Sequence, residues 1–234
     1  RFPFAADEAS VTLPTAVYQT NRELVSSMAS TTHGYSCGGS YPYSATNDEI
    51  EKYNLSSDGG GSDVGDLTRT VRRAGGHNST THGYCSGGSP SEPVSTSNII
   101  EKFPFATDEN ASDVGDLAAS FFDVAGTSSG EHGYVIGGRT LPPVYGVTRM
   151  ERFPFASDGN ASDIGDLVKG NGISADGVAS ATHGYCVGGY KDSSWAFTNA
   201  KLALCIPYSL FLFCHRRQHY RQKFYLLPKM DVSE

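Results

Sequence analysis

Lysine, arginine, aspartate and glutamate make up only 18% of the 234 residues, short of the quarter usual in soluble domains. No stretch in residues 1–190 sustains a helical hydrophobic period, so long helices are not expected there. The five cysteines are odd in number and lack Cys-x-x-Cys spacing, which excludes a disulfide framework and a zinc module. The net charge of −7 argues against nucleic acid as a partner, which calls for a basic face. Positive charge gathers at the end, where Lys201, Arg216, Arg217, Arg221, Lys223 and Lys229 face only Asp231 and Glu234. The body before them is therefore more acidic than the net figure. The one long apolar run, 202–214, contains Pro207 and is too short to span roughly 30 Å of hydrocarbon, so no membrane span is expected. Nothing at the start reads as a signal peptide. Arg1 falls inside a repeated motif, so the chain reads as a fragment or a processed piece.

What is abundant is glycine, with 27 residues, and its distribution is periodic. His33-Gly34-Tyr35-Ser36-Cys37-Gly38-Gly39 returns as His82-Gly83-Tyr84-Cys85-Ser86-Gly87-Gly88. It returns again as His132-Gly133-Tyr134-Val135-Ile136-Gly137-Gly138 and His183-Gly184-Tyr185-Cys186-Val187-Gly188-Gly189. A constant spacing of about 50 residues is the mark of a repeat architecture. Cys85 and Cys186 hold the same place in it and read as small buried side chains.

Two further motifs keep step. Arg1-Phe2-Pro3-Phe4 is followed by Glu51-Lys52-Tyr53-Asn54-Leu55, Glu101-Lys102-Phe103-Pro104-Phe105 and Glu151-Arg152-Phe153-Pro154-Phe155. On a strand, Phe103 and Phe105 share a face and both enter the core. Pro104 between them lacks a ladder donor, which favours a strand edge or end. The third motif is Ser62-Asp63-Val64-Gly65-Asp66-Leu67, repeated at 112–117 and 162–167, with Val114 and Leu117 as anchors of a short strand or turn. Small polar runs such as Gly126-Thr127-Ser128-Ser129-Gly130 read as a turn plus the start of another strand. Each unit thus holds three or four short strands. The first unit departs from the pattern at Val11-Thr12-Leu13-Pro14-Thr15-Ala16-Val17.

The pattern covers residues 1–190; residues 191–234 form an atypical tail. One back-translation of 214–222, TGC CAC AGA CGG CAA CAC TAC AGA CAA, read from its second base gives Ala-Thr-Asp-Gly-Asn-Thr-Thr-Asp. This nearly matches Ala156-Ser157-Asp158-Gly159-Asn160-Ala161-Ser162-Asp163. The tail is therefore read as an out-of-frame copy of a further repeat. The gene's codons test this directly, because codons that forbid the shifted reading rule it out.

A tyrosine strand ending in Gly-Gly every 50 residues or so resembles the kelch repeat, which builds β-propellers with one four-stranded blade per repeat. The double glycine allows a sharp turn where a side chain would clash. The resemblance covers residues 1–190 but lacks the kelch tryptophan: the single Trp195 lies outside the repeats, and Gly-Asp-Leu stands near where it would be. The wording of 101–117 is similar to kelch-like arrays in structural proteins of marine phages, especially those infecting cyanobacteria, and in ocean metagenomes. The resemblance implies an all-β propeller of four blades, or a partial one, in a virion-associated or extracellular location. Closure would have the N-terminal strands complete the last blade, whereas an open arc would expose sheet surfaces and self-associate.

For function, the expectation is a non-enzymatic binding or structural module that recognises a protein or a surface glycan. The alternative is a lectin-like or enzymatic propeller acting through its inter-blade loops. Loops 40–47 and 139–149 are the binding candidates. No catalytic, cofactor-binding or metal residues are assigned. His33, His82, His132 and His183 are read as strand-start residues bonded to backbone, rather than a ring sharing a metal. Two acidic turns, Asp158 to Asp163 with Asp166 and Asp108 to Asp113 with Asp116, offer alternating oxygen ligands suited to calcium. The turn at Asp58-Gly59-Gly60-Gly61-Ser62-Asp63 loses the middle ligand. The plainer reading of all three is an Asx turn, in which the side chains bond nearby backbone.

Overall fold

The computed structural model describes residues 22–41, 45–57, 60–90, 94–141, 146–168, 175–191, 196–197 and 201–205. Among them the fold is all-β, without a helix. Each sheet is antiparallel and follows chain order. Unit 1 comprises β1 (Ser26–Ala29), β2 (His33–Cys37), β3 (Glu49–Asn54) and β4 (Ser62–Asp66). Unit 2 comprises β5 (Gly75–Asn78), β6 (His82–Ser86), β7 (Ser97–Pro104) and β8 (Ser112–Phe121). Unit 3 comprises β9 (Ala125–Ser128), β10 (His132–Ile136), β11 (Arg149–Pro154) and β12 (Ser162–Asp166).

Unit 4 begins in the same way, with β13 (Asp176–Ala179) and β14 (His183–Val187). A ribbon of β15 (Tyr190–Lys191) and β16 (Ala196–Phe197) follows, and β17 (Lys201–Cys205) then pairs with β14. In units 2 and 3, His82 and His132 lie opposite Pro104 and Pro154; in unit 4, His183 lies opposite Cys205. Residues 201–205 of the tail thus stand where the Phe-Pro-Phe strand stands elsewhere. The phase of the repeat also differs from the sequence reading. Each sheet opens at the small-residue strand before the histidine, and the Phe-Pro-Phe strand is its third member. The segments 1–4 and 11–17, Trp195 and the shifted-frame segment 214–222 lie outside the described residues.

The core lies between the sheets. Tyr35 is buried and takes Phe105 of the next unit as a stacked partner at 4.8 Å and Phe103 as a tilted one at 5.5 Å. Tyr84 repeats this with Phe155 at 4.6 Å and Phe153 at 5.7 Å. Such pairs add to the free energy of burial through their quadrupoles. The expected common face of Phe103 and Phe105 is therefore what joins one unit to the next. Pro104 ends its strand, where its missing donor matters little. Leu117 is buried and Val114 packs partly against the same cluster.

The double glycines behave as their chemistry requires. Gly38 and Gly39 have φ of 64° and 100°, and Gly87 and Gly88 have 65° and 91°, a region costly for other L-residues. The N–H groups of Gly39 and Gly88 donate to the carbonyls of Val71 and Phe121, each at 2.7 Å.

The first strands β1, β5, β9 and β13 pack in series, and glycine makes this possible. A Cβ on Gly76 would meet the Ser27 carbonyl, one on Gly126 the backbone of Gly76, and one on Gly177 the Gly126 carbonyl, each well inside van der Waals contact.

Candidate functional site

The first strands border an open groove of about 700 Å³. Its wall is made by Ser27, Gly76, Gly126, Gly177, Asn78 and Ser128, which are small, uncharged and rich in backbone polar groups. One rim carries the connections into the first strands together with the loops after the double glycines. The other carries the turns after the first strands.

At the first rim, Leu24, Arg73 and Asp123 hold the same structural position, and all three have positive φ, at 60°, 59° and 55°. A non-glycine residue in this region costs about 1–2 kcal/mol. Backbone bonds between units hold the conformation: Arg73 N–H donates to the Leu24 carbonyl at 2.9 Å, and Asp123 N–H to that of Arg73 at 3.0 Å. The side chains at this shared position are apolar, basic and acidic in turn. The residues just before them, Glu23, Arg72 and Phe122, bridge to Ser40, Ser89 and Arg139 and differ just as much.

These differences converge between units 2 and 3. The Asp123 carboxylate receives Arg139 Nη2 at 2.8 Å and Arg73 Nη1 at 3.4 Å, and Arg139 lies over the Phe122 ring at 5.3 Å from its centroid. Arg72 is buried, and burial, followed by the charge of Arg73, lowers its pKa. The loops 40–47 and 139–149, expected from sequence to bind, border this rim through Ser40 and Arg139. Their segments 42–44 and 142–145 lie outside the described residues. The arginine–aspartate cluster itself was missed. The signal that could have found it is the change of residue type at fixed repeat positions.

At the opposite rim lies a smaller hollow of about 320 Å³, bordered by Ala29, Ser30, Asn78, Ser79, Ser129 and Gly130. Here the units agree. Ser30, Ser79, Ser129 and Ser180 each accept the backbone N–H of the histidine three residues on, at 3.0–3.1 Å, the geometry of a serine-closed turn. The histidine side chains do something other than bond backbone. His33, His82 and His183 each share a hydrogen bond of 2.8 Å with the preceding threonine hydroxyl, while Glu131 precedes His132. Among the described residues, no three His, Cys, Asp or Glu side chains gather closely enough to hold a metal ion.

The acidic turns join units. Asp63, Asp113 and Asp163 accept the N–H two residues on, at 3.2, 3.2 and 2.9 Å, which is the Asx turn. Asn110 and Asn160 reach back to accept the N–H of Asp66 and Asp116 in the preceding unit, both at 3.0 Å. Asp108 and Asp158 pair with Lys52 and Lys102 at 2.8 and 2.6 Å. These oxygens are thus engaged by backbone and lysine, and Asp58-Gly59 lies outside the described residues.

Three glutamates of the Phe-Pro-Phe motif, quoted in the sequence without a role, are fully buried: Glu51, Glu101 and Glu151. Glu101 accepts the Thr68 N–H at 3.1 Å and its hydroxyl, with Arg69 3.6 Å away. Glu151 accepts the Ala118 N–H at 2.7 Å. Burial raises both pKa values against those bonds. In unit 1, Glu51 lies 2.8 Å from Arg22, whose Nη1 donates to the Gly38 carbonyl as Arg69 Nη2 donates to that of Gly87 beside Glu101. Cys37, Cys85 and Cys186 are buried free thiols, as expected for the last two. Burial pushes Cys85 up to about 12 and Cys186 up to about 11, which removes thiolate character at neutral pH.

No protein-family model matches the chain, and no curated protein matches it.

Proposed function

We propose that the units are blades of a kelch-like β-propeller, complete or partial, and that the chain is a non-enzymatic binding or structural module of a virion or an extracellular assembly. One observation carries the binding part. The tyrosine–phenylalanine stacks, asparagine bonds and lysine–aspartate pairs that join units recur from copy to copy, whereas Leu24, Arg73 and Asp123 change type at a single strained position on one rim of the groove. Buried joint positions such as Met28, His77 and Thr127 diverge as well, but Leu24, Arg73 and Asp123 line an open groove, where a partner can reach them. Strained backbone at such a rim fits that use. The Arg73–Asp123–Arg139 cluster gives the rim directional charged donors and an acceptor, and the groove wall offers neutral hydrogen-bonding groups. This chemistry suits a protein loop or a hydroxyl-rich surface glycan. The phage likeness of 101–117 favours a virion setting.

A glycan array probed with the wild-type chain, an Arg73→Ala/Arg139→Ala variant and an Asn160→Ala variant tests this reading. Glycan binding should fall at least about tenfold in the double variant and persist in Asn160→Ala, which lies away from the rim. Binding unchanged in the double variant overturns the rim as the site. No glycan signal from any of them favours the structural role.

A further inference from the structure

We propose that this chain associates head to tail with copies of itself, the open face of unit 4 receiving the side of unit 1 that carries Leu55. The inference rests on the repeat reading of the units. Within the chain, the joint between successive units shows what such a face takes. Met28, His77 and Thr127 occupy one position of the first strand and are buried at 7%, 1% and 6% exposure where a further unit follows. Val178 holds that position in unit 4 and is 50% exposed. Cys37, Ser86 and Ile136 occupy one position of the second strand and are buried, whereas Val187 there is 39% exposed. A Cβ on Gly188 would meet nothing within 4 Å, whereas one on Gly87 would meet the Phe121 carbonyl at 3.1 Å.

The occupant follows from the same joint. In units 2 and 3 the surface that meets the preceding unit carries Phe105 and Phe155, half-buried on Tyr35 and Tyr84. Leu55 holds that place in unit 1 and is 51% exposed. Units 2, 3 and 4 have their facing sides taken by units 1, 2 and 3, so among the described residues the matching apolar surface left is the one around Leu55. The two patches lie at opposite ends of the array. Their union is therefore heterologous and propagates to a ring or a filament.

Sedimentation of the full chain over a range of concentrations tests this, together with Leu55→Lys and Val178→Lys/Val187→Lys variants. All three substituted side chains are exposed, and circular dichroism confirms that each variant keeps its β signal. The wild type should gain mass with concentration, and each variant should associate at least about tenfold more weakly. Mixing the two variants should restore a single one-to-one pair that grows no further, because one intact joint remains. A wild type that stays single at its highest soluble concentration overturns the proposal. So does association indifferent to either variant, or blocked by the valine variant alone, which marks a symmetric joint. A wild type without β signal sinks the repeat reading itself and this proposal with it.

Discussion

The boundary between units 2 and 3 and the boundary between units 3 and 4 begin alike and end differently. At both, the first strands approach through glycine, with Gly126 on Gly76 and Gly177 on Gly126. Farther out, the 2–3 boundary adds Phe153 and Phe155 on Tyr84, Asn160 on Asp116, and Lys102 to Asp158. A Cβ on Gly115 would meet the Gly159 carbonyl at 2.5 Å, whereas one on Gly165 would meet only Met150 of its own unit at 3.9 Å. The joint thus has two parts. The inner part needs only backbone and small residues. The outer part needs a segment of the form Phe-Pro-Phe-Ala-x-Asp-x-Asn-Ala-Ser, which 201–205 does not supply. Among the described residues of the 3–4 boundary, the glycine approach is joined by the packing of Cys186 with Ile136, Met150 and Leu167, without the aromatic, asparagine and lysine contacts.

The largest way to break this contrast is to remove a buried carboxylate from an intact boundary. Glu101→Ala strands the Thr68 N–H and the adjacent Arg69, and should cost about 3–5 kcal/mol in urea unfolding. A change below about 1 kcal/mol would show that the 1–2 boundary does not depend on it.

Acid offers a second lever. His77 is buried between units 2 and 3, bonded to the Thr127 carbonyl at 3.0 Å and the Ser86 hydroxyl at 2.7 Å. Burial lowers its pKa to about 4 against the Thr127 bond. The unfolded chain therefore binds the proton first as pH falls. The stability held above about pH 6.5 is lost progressively toward pH 4, by up to about 3 kcal/mol. Glu101 and Glu151 act with the opposite sign. Their raised values give a contribution that is full below about 4.5 and lost as pH rises through the folded-state value. His77→Met, which installs the residue found at the equivalent position in unit 1, isolates the histidine. Its unfolding free energy should lack the acid-side loss between pH 6.5 and 4; the same loss in both proteins would clear His77.

The inner part is tested by Gly126→Ala. Its Cβ would strike the Gly76 backbone, which cannot turn aside as a side chain can, and about 2 kcal/mol should be lost. A smaller effect separates the outer elements from each other. Asn160→Ala should cost about 1 kcal/mol and Lys102→Ala less than about 0.5, because Asp158 is exposed. Equal costs would mean that the amide bond is as weakly held as the ion pair.

Much of the outer part was legible in the sequence, because aromatic rings, proline and double glycine are rare enough that their recurrence marks common burial. Tyr84 and Phe103 could be placed on strands, and Gly88 just past the end of one, from spacing alone. The inner part was harder to read. Gly75-Gly76-His77-Asn78 has no apolar alternation, and its composition is that of a turn, yet it is a strand. Backbone approach, which selects glycine there, leaves no hydrophobic pattern. The buried glutamates were hidden for a related reason: a carboxylate beside Lys52 or Lys102 looks solvated, and only the sheet-to-sheet contact shows which of the two is inside. Arg22 beside Glu51 could not be read either, because its counterpart in unit 2, Arg69 beside Glu101, lies at a different repeat position. The charged rim depends on residues that differ between copies, which a search for repeats passes over.

Native-state hydrogen exchange along the whole chain measures the two-part joint most directly, since protection reports the local free energy of opening. The strands β9 and β10, which lie within the intact 2–3 boundary, should exchange much more slowly than β13 and β14, whose described contacts with unit 3 lack the outer aromatic, asparagine and lysine elements. Equal protection of β9–β10 and β13–β14 would contradict it, because the outer segment would then add nothing to the joint.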